Sequence, residues 1–351
     1  MTDRDRRAPA PAPPRMGTAA LRVLVTGASG FIGSHTVAAL LDAGHVVRVL
    51  VRSPGRAERA LGPSWSAVEV AVGDVTDPAA VGAAVAGCDA VVHAAGEIGV
   101  DGGSGPGSAT VNVDGLRVVV EAGMAAGVDP IVYTSTVTAY LPSDEPRLTS
   151  RSPLADPLSA YGASKLEAEL LVRAWQAEGV PITSFVIGGV YGPGSPHRDG
   201  SFAAVLGALQ LMMLVPPGGM GVIDVRDVAL LLERAVAPGR GPRHFMAGGS
   251  FVLWSAWTDL LGEAAGQTVV RKEVTAAEMI DLGRQFDRQR AEGIDMPGPL
   301  SEESAVVMTS GVPTDDGPTL DALGVRYRST LETFEDLVAY LRSTGELPPA
   351  P

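Results

Sequence analysis

Tyr161 and Lys165 stand four positions apart in SAYGASKLEAEL, a stretch that reads as a helix, so their side chains share one face a turn apart. A solvated helix does not need that pair. An unperturbed tyrosine has a pKa near 10, so ionising it at pH 7 costs about 4 kcal/mol. An adjacent ammonium lowers the cost by favouring the phenolate. Such a phenol exchanges a proton with a carbonyl or an alcohol near neutral pH. Taken alone, the stretch also reads as a helix start with a packed tyrosine and a surface lysine. What separates the two readings is whether the chain also holds a redox cofactor and a second hydroxyl.

A cofactor cradle stands near the start. VTGASGFIGSH sets Gly27, Gly30 and Gly33 between an apolar strand and a helical stretch. Glycines there permit a tight turn, close approach of a pyrophosphate and close helix packing, and the helix N-terminus offers free N–H groups to phosphate. A carboxylate about 20 residues past such a turn grips the ribose 2′-OH of NAD. This chain has Arg52 there, with Arg56 close behind. A guanidinium suits a 2′-phosphate, so NADP(H) is favoured and NAD(H) is the alternative. The two arginines also read as solvated surface charges. Asp74, after the third strand, is placed either to meet an adenine amine or to close a turn. His93 reads as a packed strand residue.

These groups need a scaffold, and the chain supplies an alternating one. Strands are expected at 21–26, 45–52, 65–72, 89–95, 130–136 and 181–187, with helices between them. Several are apolar almost throughout, as a parallel sheet covered on both faces requires. The fold class is α/β, a doubly wound parallel sheet of the Rossmann type with a smaller, mostly helical C-terminal substrate lobe. Residues 19–190 and 222–248 are assigned to the dinucleotide-binding domain, and 191–221 and 249–345 to the substrate lobe. A Pro- and Arg-rich tail (1–18) is expected to be disordered, and 346–351 to be a loose end. The apolar run 202–215 is too short to span a bilayer and reads as a buried or pocket-lining helix.

Composition excludes several classes. A net charge of −13 over 351 residues disfavours nucleic acid and anionic membrane as partners. One cysteine, Cys88, rules out an internal disulfide and fits a reducing, cytoplasmic setting. The five histidines show no metal-ligand spacing, so no metal is expected. The first residues lack an apolar signal-peptide core, and Asp3 and Asp5 speak against a transit peptide.

Eight segments in order, TGASGFIG, GDVTD, HAAG, VNVDG, YTSTVTAY, YGASK, VYGPG and DVRDVA, resemble the extended short-chain dehydrogenase/reductases, the NAD-dependent epimerase/dehydratase family. The likeness runs from Leu21 to about Tyr340 and is greatest to the dihydroflavonol-reductase-like branch. It implies Tyr161 as general acid/base, Lys165 as its partner and holder of the nicotinamide ribose, and a Ser or Thr from the fifth strand. By its position before Tyr140 that hydroxyl is Thr136, with Ser135 as the neighbouring alternative. The resemblance implies a cofactor lying along Gly27, Ser29, Gly30, Phe31, Ile32 and Gly33, then Arg52, Asp74 and Val75, then Ala94, Ala95 and Gly96, and reaching Tyr161, Lys165 and Val190. Asn112 matches a recurrent family asparagine and reads equally as a helix-start residue. Members of the family often pair as homodimers.

Two departures bear on the reaction. Val186 and Ile187 stand where the family often has Arg-Pro. Val137 and Thr138 follow Thr136 where sugar dehydratases carry an Asp-Glu pair, so water elimination of that type is disfavoured. Between YGPG and DVRDVA the cation is Arg198, in an otherwise apolar segment, which suits a partly apolar carbonyl or alcohol better than a nucleotide sugar. The reading is an NADP(H)-dependent oxidoreductase acting on a ketone or aldehyde, or the reverse. The alternatives are a nucleotide-sugar epimerase with retained NAD and a non-catalytic dinucleotide sensor.

Overall fold

The computed structural model describes residues 19–96, 110–197, 200–294, 296 and 300–349. The tail 1–18, the last residues 350–351 and Arg198 lie outside them. β1 (Arg22–Thr26) runs into α1 (Phe31–Asp42), then β2 (Val46–Val51), α2 (Pro54–Leu61), β3 (Glu69–Val72), α3 (Pro78–Val85) and β4 (Ala90–His93). α4 (Gly115–Ala126), β5 (Ile131–Thr136), α5 (Ala160–Ala177) and β6 (Ile182–Ile187) follow, and β10 (Arg243–Ala247) completes the sheet. The seven strands run in the order β10-β6-β5-β4-β1-β2-β3, each pair parallel. The order reverses between β1 and β4, and the crevice beyond their carboxyl ends is where such sheets take ligands.

The central strands are buried along nearly their whole length because helices cover both faces. On one face Val25, Val37, Leu40 and Leu232 pack together, and on the other Leu24, Val91, Leu116 and Val172. β3, at the sheet edge, alternates between partly buried and exposed residues.

The second lobe holds its own core around Trp257, Leu261, Phe334 and Leu341. It is built on α6 (Gly200–Gln210), α8 (Trp254–Ala265), α9 (Ala276–Ala291), α10 (Glu302–Ser310) and α12 (Thr330–Ser343). It is less purely helical than the sequence suggests. β7 (Gly189–Tyr191), β9 (Gly219–Asp224) and β11 (Ser250–Leu253) form a second sheet, and β8 (Met213–Val215) pairs with β12 (Arg271–Glu273). α7 (Val225–Ala235) packs on α1, and α11 (Gly317–Leu323) is followed by Val325, which joins Leu323 in the main core.

Three local expectations need correction. The third strand begins at Glu69 rather than residue 65, because Gly62–Ala67 winds into a 3₁₀ turn. α2 starts with Pro54 in its first turn and ends at Gly62, at φ 51, and Leu347, in the end expected to be loose, is buried in the second lobe's core. The apolar run 202–215 is helical only to Gln210, then turns through exposed Leu211 and enters β8. A run without periodicity does not show where helix gives way to strand.

Candidate active site

The glycine turn is tight for a visible reason. Gly27 has φ 74, and a Cβ there would lie 2.5 Å from the carbonyl carbon of Ala94 on β4's exit. A Cβ on Gly33 would lie 2.1 Å from the Gly27 carbonyl oxygen, so α1 and the turn touch backbone to backbone. α1 starts with no side-chain cap and no acid in its first turn, leaving its N–H groups to a ligand. A cavity of about 490 Å³ opens there, lined by Gly27, Ser29, Gly30, Arg52, Asp74, Val75, Ala94, Ala95 and Gly96 among others. The uncapped helix start, the close glycine turn and the guanidinium groups at the far end fit a dinucleotide phosphate chain.

Asp74 closes a turn. Its carboxylate accepts from the Thr76 N–H at 2.9 Å and the Thr76 hydroxyl at 2.8 Å, and those bonds hold its pKa below the usual range. It also faces the cavity, 3.9 Å from Arg52. His93 is a packed strand residue: Nδ1 meets Thr26 Oγ1 at 2.7 Å, the ring stacks on Tyr133, and burial lowers its pKa to about 3.

A second cavity, of about 470 Å³, shares Gly30, Ala94, Ala95 and Gly96 with the first. Thr136, Tyr161 and Lys165 all line it, together with Phe31, Ile32, Gly33 and Val190. Thr136 is the last residue of β5; Tyr161 and Lys165 lie in the first turns of α5, whose start is capped by Ser159 accepting from the Gly162 N–H at 2.9 Å. The Thr136 hydroxyl donates to Thr138 Oγ1 at 3.2 Å and lies close enough to the Tyr161 phenol to lower its pKa. The Ser135 hydroxyl instead donates to buried Glu169 at 2.6 Å. Glu169 also accepts from Tyr140 at 3.0 Å, and Arg173 and His244 complete this network behind β5. Asn112 is buried and donates to Ser164 on α5 at 3.1 Å, tying the fourth crossover to that helix.

The electrostatics differ from the expectation at Tyr161. Its pKa stands above the ordinary range, because burial dominates, the Glu303 carboxylate adds to it, and the Thr136 hydroxyl only partly offsets them. Lys165 does not depress it: the amine lies over the ring face, 5.6 Å from its centroid. Lys165 is itself perturbed, lowered to about 8 by burial. Sequence spacing reported the neighbour but not the desolvation that both groups share.

Three groups at or beside the cleft escaped the sequence reading. Glu303, on α10, sits against Ser159 and Gly162 at the start of α5, and burial raises its carboxyl. Met308, on the same helix, lines the second cavity and accepts through its carbonyl from Trp254 Nε1 at 2.7 Å. His197 reaches back from the second lobe to the glycine turn, with Nε2 3.1 Å from the Ser29 carbonyl. No local pattern marks them; only chain folding brings them to the cleft.

A family model described as the NAD dependent epimerase/dehydratase family matches residues 23–248. A 3 beta-hydroxysteroid dehydrogenase/Delta 5→4-isomerase of Mycobacterium tuberculosis is 42% identical over 133 residues, 35% of this chain and 35% of that protein. The match therefore spans about a third of that relative's length. Sterol demethylase protein B of Methylococcus capsulatus is 27% identical over 338 residues, 93% of this chain and 99% of that protein. The UDP-glucose 4-epimerase of Bifidobacterium longum, solved with NAD+ and UDP, superposes with a TM-score of 0.70 at 20% identity, covering 92% of this chain and 99% of the other. That likeness is one of fold.

Proposed function

The chain belongs to the NAD dependent epimerase/dehydratase family, that is, the extended short-chain dehydrogenase/reductases, and from that membership we propose that it is an NADP(H)-dependent oxidoreductase interconverting a ketone or aldehyde and the corresponding alcohol on a partly apolar molecule. The observation that carries the reading is the apolar wall of the second cavity. It is made of Met213, Met220, Trp254, Trp257 and Met308, and the one charged side chain among the described lining residues is Lys165. A nucleotide-sugar diphosphate needs cations at that wall; an apolar ring system needs the methionines and tryptophans. Two relatives named for steroid or sterol chemistry support the same substrate class.

When bound, the nicotinamide supplies or takes up the hydride. The chain's own residues handle the oxygen and its proton. A phenol held above its ordinary pKa is neutral at pH 7, so Tyr161 is set to act as an acid, giving its proton to the carbonyl oxygen as the alcohol forms. The Thr136 hydroxyl, beside the phenol, orients that oxygen and stabilises the negative charge left on Tyr161. Lys165, over the ring, would hold the nicotinamide ribose; in the reverse step the phenolate takes the alcohol's proton. Arg52 and Arg56 at the adenosine end favour a 2′-phosphorylated cofactor.

The test is NADPH oxidation and NADP+ reduction against a panel of keto- and hydroxysteroids and other apolar carbonyls, beside UDP-sugars. Turnover on the apolar panel is expected. Interconversion of a UDP-sugar with no net cofactor consumption would replace the proposal with the epimerase reading.

A further inference from the structure

We infer that His197 is a specificity-determining residue that closes the 2′-phosphate site from the second lobe, donating with Arg56 to the same phosphate; this rests on the NADP(H) reading above. His197 Nε2 lies 3.0 Å from the Arg56 guanidinium and 3.1 Å from the Ser29 carbonyl oxygen. One ring nitrogen cannot satisfy both. Carrying a proton, it donates to the carbonyl and faces the guanidinium donor to donor. Lacking one, it accepts from Arg56 and turns a lone pair on the carbonyl's lone pairs. An anionic oxygen between the ring and the guanidinium removes the conflict, because it accepts from both at once.

The surroundings fit that anion. His197, Arg52, Ser53 and Arg56 line the cavity at the glycine turn, at the end where β2 stops. Arg52 is only loosely paired, 3.9 Å from Asp74 and 65% exposed, so it is able to turn to a phosphate. Asp74 does not block the site, since its carboxylate is engaged by Thr76. His197 is held from behind: its carbonyl accepts from the Ser195 hydroxyl at 2.6 Å, and Ser195 is buried. A neutral ribose 2′-OH brings no charge to this site, so the contact distinguishes the two cofactors.

The experiment uses the full chain and measures binding. NADPH, NADH, 2′,5′-ADP and 5′-AMP are titrated against wild type, His197→Ala and His197→Arg, by nucleotide fluorescence and calorimetry, with thermal melts to check folding. Loss of a hydrogen bond to a charged group weakens binding by about tenfold or more. His197→Ala is expected to weaken NADPH and 2′,5′-ADP by about tenfold and NADH and 5′-AMP by less than about twofold. His197→Arg, a permanent cation, is expected to keep the preference. Equal weakening of all four ligands would assign His197 to the 5′-phosphate they share or to the fold, and no weakening of any would leave it no role; either result overturns this inference while the cofactor reading stands. A wild type that binds NADPH no tighter than NADH would overturn the cofactor reading, and this inference with it.

Discussion

Lys165→Met should make the protein more stable while removing its activity. The ordinary lysine value is 10.5; here burial lowers it to about 8. Below pH 8 the amine is charged in both the folded and the unfolded chain, and only the folded chain bears the desolvation. The displacement corresponds to about 3 kcal/mol. The side chain is half-buried, so solvent screening reduces this to about 2–3 kcal/mol. Methionine keeps an unbranched side chain of similar length without the charge. At pH 7, urea unfolding of the cofactor-free proteins should show the variant more stable by that amount. Between pH 8 and 10.5 the folded wild type sheds its proton while the unfolded chain keeps it. The unfolded state then binds more protons, wild-type stability rises relative to the variant, and the gap closes. A variant less stable than wild type at pH 7, or a gap that does not change with pH, would refute the desolvation argument.

Three further outcomes follow from the same geometry. Thr136→Val should lower kcat by about a hundredfold, the usual loss for one donor to a developing oxyanion. Ser135→Ala should leave kcat within a few fold and cost about 1–3 kcal/mol in urea unfolding, because buried Glu169 loses its 2.6 Å donor. Gly27→Ala places a Cβ 2.5 Å from the Ala94 backbone at φ 74. Titration should show NADPH affinity falling by more than about tenfold, beyond a backbone cost of about 1–2 kcal/mol seen in unfolding.

Much of this site could be read from order and spacing, and the reason is local geometry. The glycine turn, the Tyr161–Lys165 pair and Thr136 each sit at the end of one strand or the start of one helix, where residue type and position determine the direction of a side chain. The turn and the Tyr161–Thr136 cluster meet because a parallel sheet brings the ends of its strands to one edge. Glu303 and His197 were not legible, since each reaches the cleft from the second lobe across a long stretch of chain. The pKa of Tyr161 was misjudged for a related reason. A neighbour at helical spacing is visible in a sequence, whereas the burial that outweighs it is a property of the packed core. The apolar run at 202–215 shows the same limit in secondary structure, where pairing of β8 with β12 decided what composition could not.

The most direct test of the account is Tyr161→Phe, assayed for NADPH binding and for single-turnover hydride transfer to an accepted carbonyl. The phenol supplies the proton and does not build the phosphate cradle, so binding should stay within about twofold of wild type while transfer slows by about 10²–10⁴-fold. Transfer at close to the wild-type rate, with binding intact, would contradict the assignment of Tyr161 as the acid.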